Sequence, residues 1–382
     1  MHVRSLTVAV LTASVLTAAS AGIGSQPPDT PHIVVHEWGT FTSIAGENGE
    51  AVQWLPQGGA SDLPCFVDRG VFNIKGLLRG TVRMETPVLY FYTSRDVSVD
   101  VKVDFKQGVI TEWYPKAFVQ SNPFGMSGSI GWFNVTVSPA IPPTFALEPG
   151  ASHYYLARAT DATPLRVGGE AERFLFYRGV GQFAPPISAA VNADGRTVVW
   201  TPRDRAIGDV ILFENRNGVV SYSVQRAAGG RLALDRPVLD DETTPPKREL
   251  VDLLIANGLY RKEAEAMVAT WSDTWFEEGT RLFYIVPRAA VDAILPLTMT
   301  PAPADVARVF VGRMELVTPA TQTTIARALM ADDRATLAKY GRFLQPIGER
   351  VLAAALPADR PLLEARLRGA AAPWTTATSS CH

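Results

Sequence analysis

Between residues 33 and 239 the apolar residues fall in short or alternating runs, separated by Gly, Pro and Asn, and no long stretch has a helical period. The clearest run, DVSVDVKVDF, places valine or phenylalanine at every second position from Val97 to Phe105. Such alternation predicts a strand with one buried and one solvated face, as in antiparallel sheets. We therefore expect residues 33–239 to form an antiparallel β-sandwich.

Two phrases in this region resemble each other. GVITEWYP from Gly108 and GRTVVWTP from Gly195 share Gly, Trp and Pro at the same spacing. They are compatible with two related tandem sandwiches, but so short a match favours ordinary hairpin chemistry that occurs twice. A further hairpin is predicted at Asn217-Gly218, a dipeptide that favours the tight turns joining antiparallel strands.

The pattern changes after residues 240–246, which have the composition of a linker. Apolar residues then recur at helical spacing from Leu250 to Leu259, and again from Arg261 to about Trp271. Two later runs, RLFYIVP and VARVFVGRMELV, are apolar on both alternations, which is typical of strands buried on both faces.

The end of the chain is rich in Ala and Leu. Its pattern predicts three or four helices between residues 319 and 367, broken near Asp332-Asp333, Pro346 and Pro357. Residues 247–369 are thus expected to form a smaller α+β, helix-rich domain. The Thr- and Ser-rich residues 370–382 are predicted to be a flexible tail.

The first residues have the pattern of a secretory leader. Arg4 precedes a moderately apolar run, and Ala19 and Ala21 give an A-x-A cleavage site. We predict a signal peptide over 1–21 and a flexible segment over 22–32. The run is too short for a spanning helix, which needs about 20 apolar residues. The expected product is a soluble protein in the periplasm or outside the cell, with no membrane anchor.

Charge and composition exclude some partners. The chain has 36 basic and 38 acidic side chains, for a formal net charge of −2. Such a balance gives no electrostatic reason to expect a nucleic acid or an anionic membrane as a partner. With 47% hydrophobic residues, the chain can bury a large core and is long enough for two domains.

There are two cysteines, Cys65 and Cys381. In an oxidising compartment they could form a disulfide, which would hold the C-terminal tail against the body of the protein. Alternatively, Cys65 packs as a small apolar residue while the tail stays loose. The sequence leaves both alternatives open.

Four phrases carry a resemblance to a known family: HEWGTFTS from His36, VRMETPVLYFY from Val82, RFLFYRGVG from Arg173 and TWFEEGTRLFYIVPR from Thr274. They resemble a family of uncharacterised exported bacterial proteins that begin with HEWGTFT after the signal peptide. The resemblance spans the mature chain and implies export and a shared fold. It assigns no catalytic residue.

Motifs for cofactors are absent from the sequence. There is no P-loop, no G-x-G-x-x-G between a strand and a helix, no G-x-S-x-G elbow and no H-E-x-x-H, so no cofactor is expected. A mixed metal site using His36, His153 and a carboxylate such as Glu85 is chemically feasible. Most histidines in such positions are instead capped or exposed to solvent.

Carboxylates and aromatic residues within apolar strands are the other candidates for function. Two glutamates that face one cleft could act as general acid and base, as in glycosidases. The candidates for this role are Glu37, Glu85, Glu112, Glu277 and Glu278. Candidates for binding a ligand are Trp38, Arg83, Trp113, Arg178 and Trp275. In the alternative, the glutamates pair with strand arginines and the tryptophans fill the core.

The sequence therefore favours a binding or scaffolding protein of the bacterial envelope or exterior, with a glycan or peptide ligand. The first alternative is a hydrolase of a polysaccharide or envelope polymer that uses two of the glutamates. The second is metal-dependent chemistry at His36 and His153.

Overall fold

A computed structural model describes residues 32–70, 78–150, 152–203, 206–239, 243–375, 377–378 and 381. The predicted signal peptide, nearly all of the segment 22–32 and half of the predicted linker lie outside these residues. From His32 onward the chain forms one compact unit.

The described strands and helices follow one another along the chain. The first strands are β1 (Val34–Ile44), β2 (Gly59–Ala60), β3 (Asp68–Arg69), β4 (Val82–Tyr92), β5 (Val97–Phe105), β6 (Gly108–Tyr114), β7 (Phe118–Asn122) and β8 (Ser127–Val137). After helix α1 (His153–Leu156) come β9 (Leu165–Val167), β10 (Glu170–Glu172), β11 (Leu175–Gly181), β12 (Ser188–Val191), β13 (Thr197–Thr201), β14 (Gly208–Arg216), β15 (Val219–Ala227) and β16 (Gly230–Leu234).

Helices dominate the rest of the chain. The elements are α2 (Lys247–Ala256), α3 (Arg261–Trp271), β17 (Gly279–Ile285), α4 (Arg288–Ile294), β18 (Leu297–Thr300), β19 (Asp305–Leu316), α5 (Pro319–Ala331), α6 (Arg334–Ala338), α7 (Leu344–Ala354), α8 (Arg360–Thr375) and β20 (Ala377–Thr378). A short 3₁₀ turn, Gly341–Phe343, leads into α7.

The main sheet has the strand order β15-β14-β17-β19-β1-β4-β11-β6-β3 within the described residues. β1 pairs in parallel with β19 and antiparallel with β4. The predicted linker at 240–246 does not divide this sheet, because β14 and β15 precede it while β17 and β19 follow it. Nor do the strands before residue 239 form two separate sandwiches, because β11 lies between β4 and β6.

A second sheet packs against one face of the main sheet. Its strand order is β10-β9-β8-β5-β18, and β7 also pairs with β8. The alternation predicted for β5 is confirmed, since Val101 and Phe105 are fully buried while Ser98 and Lys102 are exposed. The prediction of a strand-rich, antiparallel N-terminal region followed by helices is therefore confirmed.

The other face of the main sheet is covered by helices. One apolar cluster lies beneath α2 and α3 and includes Trp38 and Phe283 from the sheet. A second cluster lies beneath α5, α7 and α8 and includes Ile44 and Trp54. Both strand runs predicted to be doubly buried, β17 and β19, belong to this sheet, and all of β17 is buried.

Several predicted helix boundaries agree with the structure. α2 begins directly after Pro245-Pro246, and α3 spans Arg261–Trp271. Pro346 was expected to break a helix, but it lies in the first turn of α7. Proline is tolerated there because the first-turn N–H groups have no partner within the helix.

The C-terminal segment predicted to be flexible is instead attached to the body of the protein. α8 continues to Thr375, and β20 pairs in parallel with β2. Cys65 and Cys381 form a disulfide, so the first of the two alternatives for the cysteines applies. Over the described part of the chain, no helix has the length and apolar character needed to cross a membrane.

The disulfide is expected to contribute substantially to stability because it joins residues 316 positions apart. Loop-closure entropy predicts that the double variant Cys65→Ser/Cys381→Ser loses roughly 3–5 kcal/mol of unfolding free energy. Urea denaturation with and without a thiol reductant measures this loss. The reductant should have no effect on the double variant, and equal midpoints for oxidised and reduced wild type would contradict the prediction.

Candidate functional site

A polar band crosses the helix-covered face of the main sheet. Along β1 every second side chain points to this face, in the order Trp38, Thr40, Thr42 and Ile44, and all four are buried. Trp38 belongs to the cluster under α2 and α3, and Ile44 to the cluster under α5, α7 and α8. The two threonines therefore mark a gap between two apolar clusters.

Strand register places charged side chains in this gap. Thr42 lies opposite Arg83 on β4 and opposite Arg313 on β19, while Thr40 lies opposite Glu85. We define the arginine band as five arginines together with the carboxylates that face them. The arginines are Arg83, Arg178, Arg281, Arg313 and Arg342, and the carboxylates are Asp62, Glu85, Glu277 and Glu315.

Glu85 lies at the centre of the band. Its Oε1 atom is 2.8 Å from an Nη atom of Arg342, which comes from the 3₁₀ turn before α7. Burial opposes ionisation of Glu85, but Arg342 and Arg83 outweigh it and lower the pKa of the carboxyl to about 2. Glu85 is therefore ionised over the whole physiological pH range.

Arg178 on β11 is fixed by a bidentate ion pair. Its two Nη atoms each lie 2.7 Å from a carboxylate oxygen of Asp62, and one also donates to the hydroxyl of Thr86 at 3.2 Å. Thr86 has a φ of 47° where β4 carries an extra residue against β1. Such strained bulges re-aim side chains, and this one points the Thr86 hydroxyl at Arg178.

Arg313 on β19 is more completely enclosed. One Nη atom lies 2.9 Å from Glu277 and 3.5 Å from Glu315, and the guanidinium lies 4.6 Å from the ring centre of Phe343. Burial and the neighbouring Arg281 lower the pKa of Arg313 to about 10. This cation is thus incompletely compensated by the carboxylates around it.

Arg83 is a second cation of the band, and it is half-buried. It donates to the carbonyl oxygen of Pro56 at 2.5 Å and forms no ion pair with any residue that the structure describes. Desolvation lowers the pKa of Arg83; Glu85 opposes this shift, while Arg342 and Arg178 add to it. Because cations removed from water normally have a counterion, the surroundings of Arg83 favour an added negative charge.

Several buried donors of the band have no hydrogen-bond partner among the described residues. They are the Nε atom of Arg178, the Nε and one Nη atom of Arg313, the hydroxyl of Thr40 and the indole N–H of Trp271. Buried polar groups are nearly always paired. This concentration of donors therefore suits a ligand rich in acceptor oxygens.

The rim of the band lies near α1 and the end of α3. His153 Nε2 is 2.7 Å from Asp273, and its Nδ1 is 3.8 Å from Asp62. The nearby carboxylate of Asp62 and the hydrogen-bonded carboxylate of Asp273 raise the pKa of His153, although burial acts in the opposite direction. The side chains of His153 and Asp62 are 25% and 31% exposed, so this rim is open to solvent.

The predicted glutamates do not all come together. Glu85 and Glu277 lie in the band, and Glu112 lies at its edge, where it influences Arg178. Glu37 points to the opposite face of the sheet, where it pairs with Arg308 and accepts from Tyr177 at 2.5 Å. Glu278 accepts from the backbone N–H of Asn217 at 2.8 Å, in a turn outside the band.

The predicted ligand-binding residues are divided in the same way. Arg83 and Arg178 lie in the band. Trp38 and Trp275 are buried in the cluster beneath α2 and α3, which agrees with a packing role. Trp113 packs on the opposite face of the main sheet, because it alternates with Glu112 along β6.

The two histidines do not converge on a metal site. Nδ1 of His36 is 2.7 Å from Glu263, in the first turn of α3, whereas His153 lies beside Trp271 at its other end. Eight residues of helix separate these contacts by about 12 Å along the axis. Within the described residues, no group of three His, Cys, Asp or Glu side chains has the geometry to hold a metal ion.

Sequence reasoning missed Asp62 and Arg342. Asp62 lies in an irregular loop close to Cys65, and Arg342 in a short turn between helices, so no periodic pattern marks either residue. The one available signal was the cysteine, because a disulfide at Cys65 fixes the loop that carries Asp62.

No family model and no curated protein matches the chain. Among solved structures, the Fcho1 Mu homology domain of Danio rerio with bound Eps15 peptide matches 75% of this chain and 96% of that domain. The identity is 9% and the TM-score is 0.27, so the match carries no argument about fold or function. The resemblance to the HEWGTFT proteins stays a prediction.

Glu85 should contribute measurably to the loss of stability in acid. Its pKa is lowered from 4.5 to about 2, so its contribution is present above pH 4.5 and is lost as the pH falls towards 2. The shift corresponds to about 3 kcal/mol. Urea denaturation between pH 5 and 2 should show the wild type losing about this much more than Glu85→Gln. Glu112→Gln, which removes a carboxylate that accepts from the neighbouring Thr111 hydroxyl, is the matched control.

His153 should make the unfolding free energy fall as the pH rises, which is opposite to the effect of Glu85. Because its pKa is raised above 6.5, its contribution is complete below pH 6.5 and is lost as the pH rises through the folded-state value. Unfolding free energies measured from pH 6 to 9 should therefore fall more in wild type than in His153→Asn. His32→Asn, at an exposed position, is the control. Parallel curves for wild type and His153→Asn would contradict the assigned ion pairs.

Proposed function

We propose that this chain is an exported binding protein of the bacterial envelope or exterior, and that the arginine band binds the acidic part of a glycan. The observation that carries the proposal is the pair of incompletely compensated cations, the half-buried Arg83 and the buried Arg313. An acidic ligand would supply the negative charge that the surrounding carboxylates do not.

The donor groups support a ligand with acceptor oxygens. Guanidinium groups bind carboxylates in a planar, charge-assisted geometry, and Arg313 has two nitrogen atoms without a partner among the described residues. The hydroxyl of Thr40 and the indole N–H of Trp271 add neutral donors nearby. An acidic sugar carries both a carboxylate and hydroxyl oxygens.

The acceptors favour a sugar over an acidic peptide. Glu85, Glu277 and Asp62 all act on Arg342 electrostatically and therefore lie around one point. Sugar hydroxyl groups both donate and accept hydrogen bonds, so they can pair with carboxylates and arginines of the same site. A peptide with several acidic side chains would instead be repelled by these carboxylates.

Solvent reaches the band at three partly exposed side chains in the band and at its rim. Asp62 and His153 are 31% and 25% exposed, and Glu277 is 25% exposed. Because pockets for small ligands bury most of the ligand surface, a terminal sugar or a short segment fits this geometry better than a long surface contact.

The charge state of Glu85 argues against its acting as the general acid of a hydrolase, and so favours binding. A glycosidase needs a protonated carboxyl group to protonate the leaving oxygen, and Glu85 has a pKa of about 2. Glu277 pairs with Arg313, and Glu37 lies on the other face of the sheet.

Two further observations support export. The leader-like residues 1–21 are typical of a secretory signal, and a disulfide between Cys65 and Cys381 is stable in oxidising compartments. Neither depends on the ligand.

The proposal is tested with an array of uronic-acid, sialylated and neutral glycans. Wild-type protein should bind acidic glycans, and Arg83→Met should weaken that binding at least tenfold, because a charge-assisted hydrogen bond is worth about 1.5–3 kcal/mol. Arg83→Met should still fold, since Arg83 forms no ion pair among the described residues and Glu85 keeps Arg342 as its partner. Arg226→Met removes an exposed arginine of β15 and is the matched control.

Equal binding by wild type and Arg83→Met would exclude the band as the site. If reducing ends are released from a bound glycan, the protein is a hydrolase and the proposal of a binding protein is wrong. Binding confined to acidic peptides would exclude a glycan.

A further inference from the structure

A separate polar cavity of about 160 Å³ lies at the other face of the main sheet. Leu212 and Glu214 of β14 and Thr280 of β17 form its floor, and Arg236 and the start of α5 form its walls. Thr280 alternates with Arg281 along β17, so the two side chains point to opposite faces. The cavity shares no residue with the arginine band, so a ligand bound in it would be independent of the proposed function.

One buried carboxylate in this cavity pairs with two arginines. Glu214 is fully buried, and the guanidinium of Arg236 donates to both of its oxygens at 2.6 and 2.8 Å. Arg216 Nε donates to the same carboxylate. Two cations on one carboxylate leave one positive charge uncompensated. The other carboxylate in the lining, Asp194, lies at the exposed rim and accepts from the backbone N–H of Arg196 at 3.1 Å.

The first turn of α5 points into the same space. α5 has 13 residues and begins at Pro319, which has no N–H, while the hydroxyl of Thr318 accepts from the N–H of Thr321 at 3.0 Å. Ala320, whose N–H lies in the same first turn, lines the cavity. An Nη atom of Arg216 also donates to the Thr318 hydroxyl at 3.2 Å, which brings an arginine to the helix N-terminus. Helix N-termini attract anions through these free N–H groups and the helix dipole.

Thr280 supplies an independent indication of a ligand. Its side chain lines the cavity, the residue is only 3% exposed, and its hydroxyl has no hydrogen-bond partner in the described part of the chain. A buried hydroxyl without a partner destabilises a fold. Its retention at the floor of a polar cavity is consistent with donation to a bound oxygen.

We propose that this cavity binds a tetrahedral oxyanion, that is, a phosphate or sulfate group, either free or as part of a larger molecule. The Thr280 hydroxyl, the Ala320 N–H and the guanidinium groups of Arg216 and Arg236 would each donate to a different oxygen. A volume of about 160 Å³ holds several water molecules, whose share of liquid volume is about 30 Å³ each, and so accommodates a four-oxygen anion.

The test is isothermal titration of the full chain with inorganic phosphate, sodium sulfate or glycerol phosphate, at an ionic strength held constant with sodium chloride. Thr280→Val keeps the shape of the side chain and removes the hydroxyl, so it should weaken binding about tenfold. In the absence of anion its thermal midpoint should be equal to or above that of wild type. A merely structural hydroxyl with an internal partner would instead lower the midpoint.

Ser223→Ala is the matched control. It removes another buried hydroxyl without a partner among the described residues, on β15 and outside the cavity lining, and should leave the affinity unchanged. Arg236→Gln should weaken binding while Arg83→Met should not, which separates this site from the arginine band. Binding of glycerol phosphate alone would support the site and assign it to a phosphate ester.

Two results would overturn the proposal. One is the absence of measurable heat with all three anions. The other is equal affinity in wild type, Thr280→Val and Arg236→Gln, which would place any bound anion elsewhere.

Discussion

The parallel pairing of β1 with β19 is the interaction on which the rest of the structure depends. It joins residues more than 270 positions apart, for example Glu37 and Arg308, and makes one sheet from strands that are far apart in the sequence. Thr42 lies between Arg83 and Arg313 only because of this pairing. Each side of the sheet then follows from strand alternation, with the second sheet on one face and the helices on the other.

Concentrating arginines in the interior is costly unless each charge is compensated. The structure compensates some of them closely, as in the bidentate pair of Arg178 with Asp62, and leaves others incompletely compensated, as with Arg83. A network selected for stability alone would have little reason to keep such a cation, since apolar replacements of buried ion pairs are often neutral or stabilising. The incompletely compensated charge of Arg83 is therefore the energetic reason to expect the acidic ligand that we propose.

The sequence predicted local structure well where one pattern dominates. The spacing of apolar residues predicted the alternation of β5 and the bounds of α3. The proline pair Pro245-Pro246 predicted the start of α2. The position of β19 beside β1 could not be predicted, because strand patterns record burial and not the partner. The sequence therefore placed the doubly apolar run of β19 in a separate α+β domain, whereas it lies near the centre of the main sheet.

The candidate site was harder to predict for the same reason. Glu85, Arg83 and Arg178 were recognised because charges are unusual within apolar strands. Their grouping depends on register, and Asp62 and Arg342 come from irregular segments that have no period. Glu37 has the same kind of sequence context as Glu85, yet it lies on the other face.

The link between Cys65 and Cys381 has a consequence for the order of maturation. One partner lies in the loop that carries Asp62, and the other is synthesised 316 residues later, after every strand of the main sheet. Closure of this bond is therefore a late covalent step, and it occurs in the loop beside the exposed rim of the arginine band. The redox state of the compartment thus controls when that rim becomes covalently fixed.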